Sequence, residues 1–191
     1  MIDLLTQSLG KIITTYVSQT EVTYARINES SLPGVPTINL FLYDIREDAA
    51  LQNNEPVVTR NNGGYKVAQP PLRVACTYLV TAWCGPKEDD VLKEQSLLDQ
   101  ALMAFAKHPT IQKDFLVGDL SQQDPPVPLV TSLIDGLKNP VEFWTVVGYK
   151  LRPALIVTAT ISMQPFDLIQ TGIVTSVAVD VSEKTATEVK T

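Results

Sequence analysis

The stretch INLFLYDIRED, residues 38–48, decides the fold. Its first half is apolar and rich in strand-forming residues. Its second half carries Asp44, Arg46, Glu47 and Asp48. Read with a period of two, Ile38, Leu40 and Leu42 take one face and Phe41, Tyr43 and Ile45 the other. Both faces are apolar, so the spacing predicts an interior strand from Thr37 to Ile45, covered on both sides. Asp44 and Arg46 are two apart and leave the strand on the same face. The charges at its end are either solvated or reserved for a partner.

Working outward, LRVACTYLVTAW (72–83) and LRPALIVTATISM (151–163) have the same character and are predicted to join the first strand in one sheet. Ahead of them, Ile2, Leu5, Leu9, Ile12, Ile13 and Tyr16 recur at spacings of three and four, which predicts an amphipathic helix over 2–17. Gly10 inside it costs about 1 kcal/mol relative to alanine. GPKEDD opens a second helix, 87–107: Pro86 suits the first turn, and Glu88, Asp89 and Asp90 favour its positive end. Val91, Leu98, Ala101, Leu102 and Phe105 form its apolar stripe, and Pro109 stops it. Residues 46–71 are polar, with Val57–Val58 and Tyr65–Val67 as a small hairpin around Asn62–Gly63. Asn139, Pro140 and Glu142 make a capping box for a short helix ending at Gly148. The whole is an α+β arrangement (α/β in its alternation): one mixed sheet with two helices packed on it, spanning residues 1–165. Residues 166–191 add a last strand, 172–181, and a polar tail. Val177, Val179 and Val181 share one face of that strand. It can fold back on its own sheet or join a neighbouring subunit's sheet edge.

The chemistry is sparse. The net charge of −6 argues against a nucleic-acid binder. No apolar run is long enough to span a membrane, and the N-terminus lacks a signal-peptide pattern. The single histidine, His108, follows the last turn of the second helix, where a simple C-terminal charge is expected. It rules out multi-histidine metal sites. Cys76 and Cys84, on one strand, would be roughly 26 Å apart, too far for a disulfide. No phosphate loop, dinucleotide fingerprint or Cys-x-x-Cys occurs, and the acidic pair Asp89–Asp90 is explained by the helix start. Trp83 and Trp144 read as core or interface residues. No catalytic, cofactor or metal residues are assigned.

The ordered set — an amphipathic N-terminal helix, INLFLYDIRED, PPLRVACTYLVTAW, an acidic-led helix, FW and LRPALIVTATISM — resembles the cap, or tail-terminator, proteins of contractile injection systems. These belong to phage-tail-like particles of the antifeeding-prophage and virulence-cassette type. The resemblance covers roughly residues 1–165. It implies a non-enzymatic structural protein without cofactors. It also implies a homo-oligomer, a hexameric ring that closes the inner tube and sheath at the end distal to the baseplate. The chain would be made in the bacterial cytoplasm and built into a particle that can be released. Its partners would be tube and sheath proteins, with no nucleic acid and no stable membrane insertion. Asp44, Arg46, Glu47 and Asp48, with Val177, Val179 and Val181, are the candidate interface residues. The terminator of a contractile phage, a monomeric adaptor or binding module, and a soluble enzyme acting on a small molecule are the competing readings.

Overall fold

The computed structural model describes residues 1–25, 34–53, 55–61, 64–85, 87–131, 152–165 and 169–172. These form two compact units: residues 1–53 with 71–165, and residues 54–70 with 166 onward.

The larger unit is built on a five-stranded mixed sheet, in the order β1-β2-β5-β7-β6. β1 is Glu21–Thr23, β2 Thr37–Glu47, β5 Leu72–Trp83, β6 Leu129–Thr131 and β7 Leu155–Met163. β1 runs parallel to β2, and the other pairs are antiparallel. The three long strands read from sequence are therefore the three middle strands. β5 is central and buried along almost its whole length, which its unbroken apolar and hydroxylated sequence permits. β7 begins at Leu155, four residues later than expected, just beyond Pro153, a residue that cannot donate to a ladder.

Two helices cover one face, α1 (Ile2–Tyr16) and α2 (Glu88–Ala106). From α1, Leu5, Leu9, Ile12 and Ile13 are fully buried, as their spacing requires. Each such side chain contributes about 1.5–3 kcal/mol by leaving water. They meet Ile38 and Leu40 of β2, Val74, Cys76, Tyr78, Val80 and Ala82 of β5, and Leu97, Leu98, Ala101 and Phe105 of α2 in one core. Leu98, Ala101 and Phe105 are buried as expected, whereas Val91 lies outside the core and is exposed. Within the core, the buried Tyr78 hydroxyl is satisfied by Thr6 Oγ1 at 2.9 Å. Burial pushes the Cys76 thiol up to about 11, so it is an inert core residue. Gly10 has a packing reason: a Cβ there would lie 2.1 Å from the Tyr24 hydroxyl oxygen. α2 opens as its acidic first turn predicts. The Asp90 carboxylate accepts the Lys87 backbone N–H at 3.3 Å and Lys93 Nζ at 3.2 Å. The bond from Lys93 is the main cause of its lowered pKa.

One expectation about β2 is corrected. The β2–β5 register shifts between Leu42, opposite Tyr78, and Asp44, opposite Thr77, so Tyr43 is the extra residue of a β-bulge. Ile45 now lies opposite Cys76, on the helix side, instead of sharing a face with Phe41, which lies opposite Leu79. Only an inserted residue can change the phase of a period-two pattern in this way.

The smaller unit is a three-stranded antiparallel sheet, β3-β4-β8, formed by Val57–Asn61, Gly64–Ala68 and Ile169–Gly172. The expected hairpin is present, with Asn61 opposite Gly64. β8 pairs with β4 of the same chain, from Val67↔Ile169 to Gly64↔Gly172, rather than with the strand preceding it. The expected helix at 139–147, Trp144, and residues 173–181 with Val177, Val179 and Val181 lie outside the described residues.

Candidate assembly interface

The charged end of β2 separates into parts with different tasks. Asp44 and Arg46 lie opposite Thr77 and Ala75, on the face away from the helices. They pair with each other: Arg46 Nε donates to Asp44 Oδ2 at 2.6 Å, and Nη2 approaches the same oxygen. The Arg46 side chain is 68% exposed, so this pair is presented to the surface and contributes little to stability. Glu47 is exposed and lies opposite Val74, on the other face.

Asp48 is half-buried and closes the strand end. Its backbone N–H donates to Arg73 O at 2.8 Å, its carboxylate accepts Thr160 Oγ1 at 3.0 Å, and it accepts the Leu51 backbone N–H at 3.3 Å. Beside it, Arg73 is almost wholly buried and donates through Nη1 to Ser162 Oγ. Burial pulls the guanidinium's pKa down, and the Asp48 charge acts in the opposite sense. Asp48 therefore belongs to a polar tie between β2, β5 and β7. Sequence reading grouped it with Arg46 because nothing local announces partners 25 and 112 residues away.

At the opposite end of the sheet, Arg152 forms a clamp that no motif announced. Its guanidinium carbon stands 3.9 Å from the Trp83 ring centroid. Nη1 donates to Glu94 Oε1 at 3.2 Å and to Ala82 O at 3.1 Å. Glu94 Oε1 also accepts the Cys84 backbone N–H at 3.1 Å. Trp83 is thus a core residue, as expected, and it joins the end of β5 to α2 and to the approach to β7.

His108 corrects a further expectation. It is only 2% exposed, and burial lowers its pKa, so it is a neutral packed ring rather than a charge at a helix end. Among the described residues, no group of His, Cys, Asp and Glu side chains is arranged to hold a metal ion. No described helix is long and apolar enough to cross a membrane. What this geometry offers is rigid presentation: a sheet tied at both ends, with an exposed charged pair at one rim.

This fold is shared with solved structures, two of which match over nearly the whole of this chain. One is the sheath/tube terminator of PVC, an extracellular contractile injection system, in its extended state. It matches at a TM-score of 0.74 and 18% identity, over 98% of this chain and 65% of that one. The other is the tube-terminating cap of the anti-feeding prophage (AFP), with a TM-score of 0.68 and 20% identity, over 95% of this chain and 61% of that one. This chain thus spans just under two thirds of the length of each. A search of curated proteins gave no match. A family model, the Pvc16 N-terminal domain, matches residues 1–175. With helix, sheet and family match covering the same residues, the chain belongs to the Pvc16 N-terminal domain family.

Proposed function

We propose that the chain is a structural, non-enzymatic terminator of a contractile injection system. Copies of it would form a hexameric ring that closes the inner tube and sheath at the end distal to the baseplate. The observation that carries this reading is the fold match, over nearly the whole chain, to a sheath/tube terminator and to a tube-terminating cap. Family membership over residues 1–175 supports it. A closed ring with head-to-tail contacts needs two different patches on each subunit. The Asp44–Arg46 pair is the candidate for one, with Glu47 next to it at the strand end but on the opposite face. The segment 172–181, with Val177, Val179 and Val181, is the candidate for the other or for contact with the sheath or tube. Charged rim groups set orientation and partner choice more than affinity. Of the domains expected, 1–165 and 166–191, residues 1–53 with 71–165 would be the scaffold, while 54–70 group with 166–191 in the second unit. The chain would be made in the bacterial cytoplasm and built into an injection particle that can be released.

Native mass measurement of the purified chain, with electron microscopy of tube–sheath particles assembled with and without it, tests the reading. A ring, or a subunit that joins particle ends and fixes their length, is expected. A stable monomer that leaves the particles unchanged overturns it.

A further inference from the structure

His108 sits where three elements meet. Its Nε2 lies 3.2 Å from the Tyr16 hydroxyl at the end of α1. Its ring meets the edge of Phe115 at 4.7 Å between centroids, and Phe115 also packs on Tyr16. Lys107 Nζ, at the end of α2, stands 4.6 Å over the Tyr16 ring. The segment that follows His108 lies along α1. The Val117 backbone N–H donates to Ser8 Oγ at 3.0 Å, and Lys11 Nζ donates to Asp114 O at 2.5 Å. The base of this excursion is held separately, by Ile111 N–H to Val127 O and Leu129 N–H to Pro109 O, both 2.9 Å.

The imidazole is thus the plug between the excursion and α1, and its second nitrogen decides its behaviour. Nδ1 is buried with no hydrogen-bond partner among the described residues. In the neutral ring with hydrogen on Nε2, that bond serves Tyr16 and Nδ1 is left as an unmatched lone pair. A proton from solvent turns Nδ1 into a buried charged donor with no acceptor, the costlier state. The elements that meet at His108 carry Asp3 and Lys11 on α1, Glu88, Asp89, Asp90, Lys93, Glu94 and Asp99 on α2, Lys107 after it, and Lys113, Asp114, Asp119 and Asp124 in the excursion, together with the Tyr16 phenol. The one that acts on the imidazole is Lys107, and it opposes protonation.

We propose that His108 is an acid-released latch: proton uptake at Nδ1 expels the ring from its contacts with Tyr16 and Phe115 and frees residues 112–117 from α1, while the sheet and the base of the excursion stay folded. The chain holds one histidine, so its imidazole resonances are unambiguous.

The test is an imidazole NMR titration of the full chain from about pH 8 to about pH 5, with amide exchange corrected for its intrinsic pH dependence. The imidazole midpoint should fall below 6.5. Exchange in 112–117 should rise by up to about tenfold per pH unit on the acid side, because opening is linked to one proton. Exchange in β2, β5 and β7 should not follow. His108→Gln, which keeps a neutral donor and acceptor, should abolish the pH dependence. A midpoint at or above 6.5, pH-independent protection of 112–117, or the same acid opening in His108→Gln overturns the proposal. Should the variant not fold, the two wild-type measurements decide alone.

Discussion

Replacing Arg152 with alanine tests whether the sheet end is held by the clamp on Trp83. Three interactions are lost together. The stack at 3.9 Å on the Trp83 ring contributes about 1 kcal/mol for a partly shielded cation. The bond to Glu94 is charge-assisted, with side chains 25% and 12% exposed; after discounting for solvent screening it contributes about 1 kcal/mol. The bond to Ala82 O adds roughly 0.5 kcal/mol. The sum is roughly 2–3 kcal/mol, or about 5–10 °C in Tm for a chain of this size. Arg152→Lys should recover less than half, because an ammonium cannot stack on Trp83 and reach Glu94 and Ala82 at once. Urea and thermal unfolding of the full chain give the losses, and a double-mutant cycle with Glu94→Gln gives the coupling, expected near 1 kcal/mol. A stability of Arg152→Ala within about 0.5 kcal/mol of wild type would refute the reasoning, since that is the range of an ordinary surface substitution.

Two further outcomes follow from contacts of α1 and β2. Gly10→Ala should fail to give the gain of about 1 kcal/mol expected in a helix interior, because the new Cβ meets the Tyr24 hydroxyl. In a Tyr24→Ala background the same change should give that gain, and chemical denaturation of the four proteins of the cycle measures it. Arg46→Glu should shift unfolding stability by under about 1 kcal/mol, since the ion pair it removes is exposed. If the rim pair belongs to the ring contact, the same substitution should weaken ring or particle assembly. Normal assembly at physiological salt would make the pair a solvated strand end.

Much of the larger unit is legible in the sequence because its signals are local. The helix spacing of Leu5, Leu9, Ile12 and Ile13 and the long apolar strands at 72–83 and 151–163 each depend only on near neighbours. The short edge strands at 21–23 and 129–131 carry too few residues to show a period, and their pairing is fixed by β2 and β7. The ties between Asp48 and Thr160, and between Arg152 and Glu94, join residues 112 and 58 apart. Each partner looks ordinary where it stands. His108 departs from its sequence expectation for a related reason: its place after α2 is consistent with a helix-end charge, but Tyr16, 92 residues earlier, and Phe115 pack against it.

The bulge at Tyr43 connects that lesson to the proposed interface. In an uninterrupted strand, Asp44 and Arg46 would continue the row of Ile38, Leu40 and Leu42, which is the row directed at the helices. Burial does not forbid charges at that end of the strand, because on the helix side Ile45 is 52% exposed and Glu47 is exposed as well. Both alternating rows of LFLYDIRE begin apolar and end in charges, so the sequence shows no shift of phase. Setting Tyr43 aside as the extra residue decides which face each charge takes. Ile45 moves to the helix side and the Asp44–Arg46 pair to the opposite side, where it reaches solvent while the backbone beneath it stays hydrogen-bonded to β5. The bulge therefore parts the charges: Glu47 takes the helix side, and the exposed Asp44–Arg46 pair is fixed on the other face of the strand next to the centre of the sheet. That is the placement a repeated subunit contact requires, because its geometry must be the same in every copy.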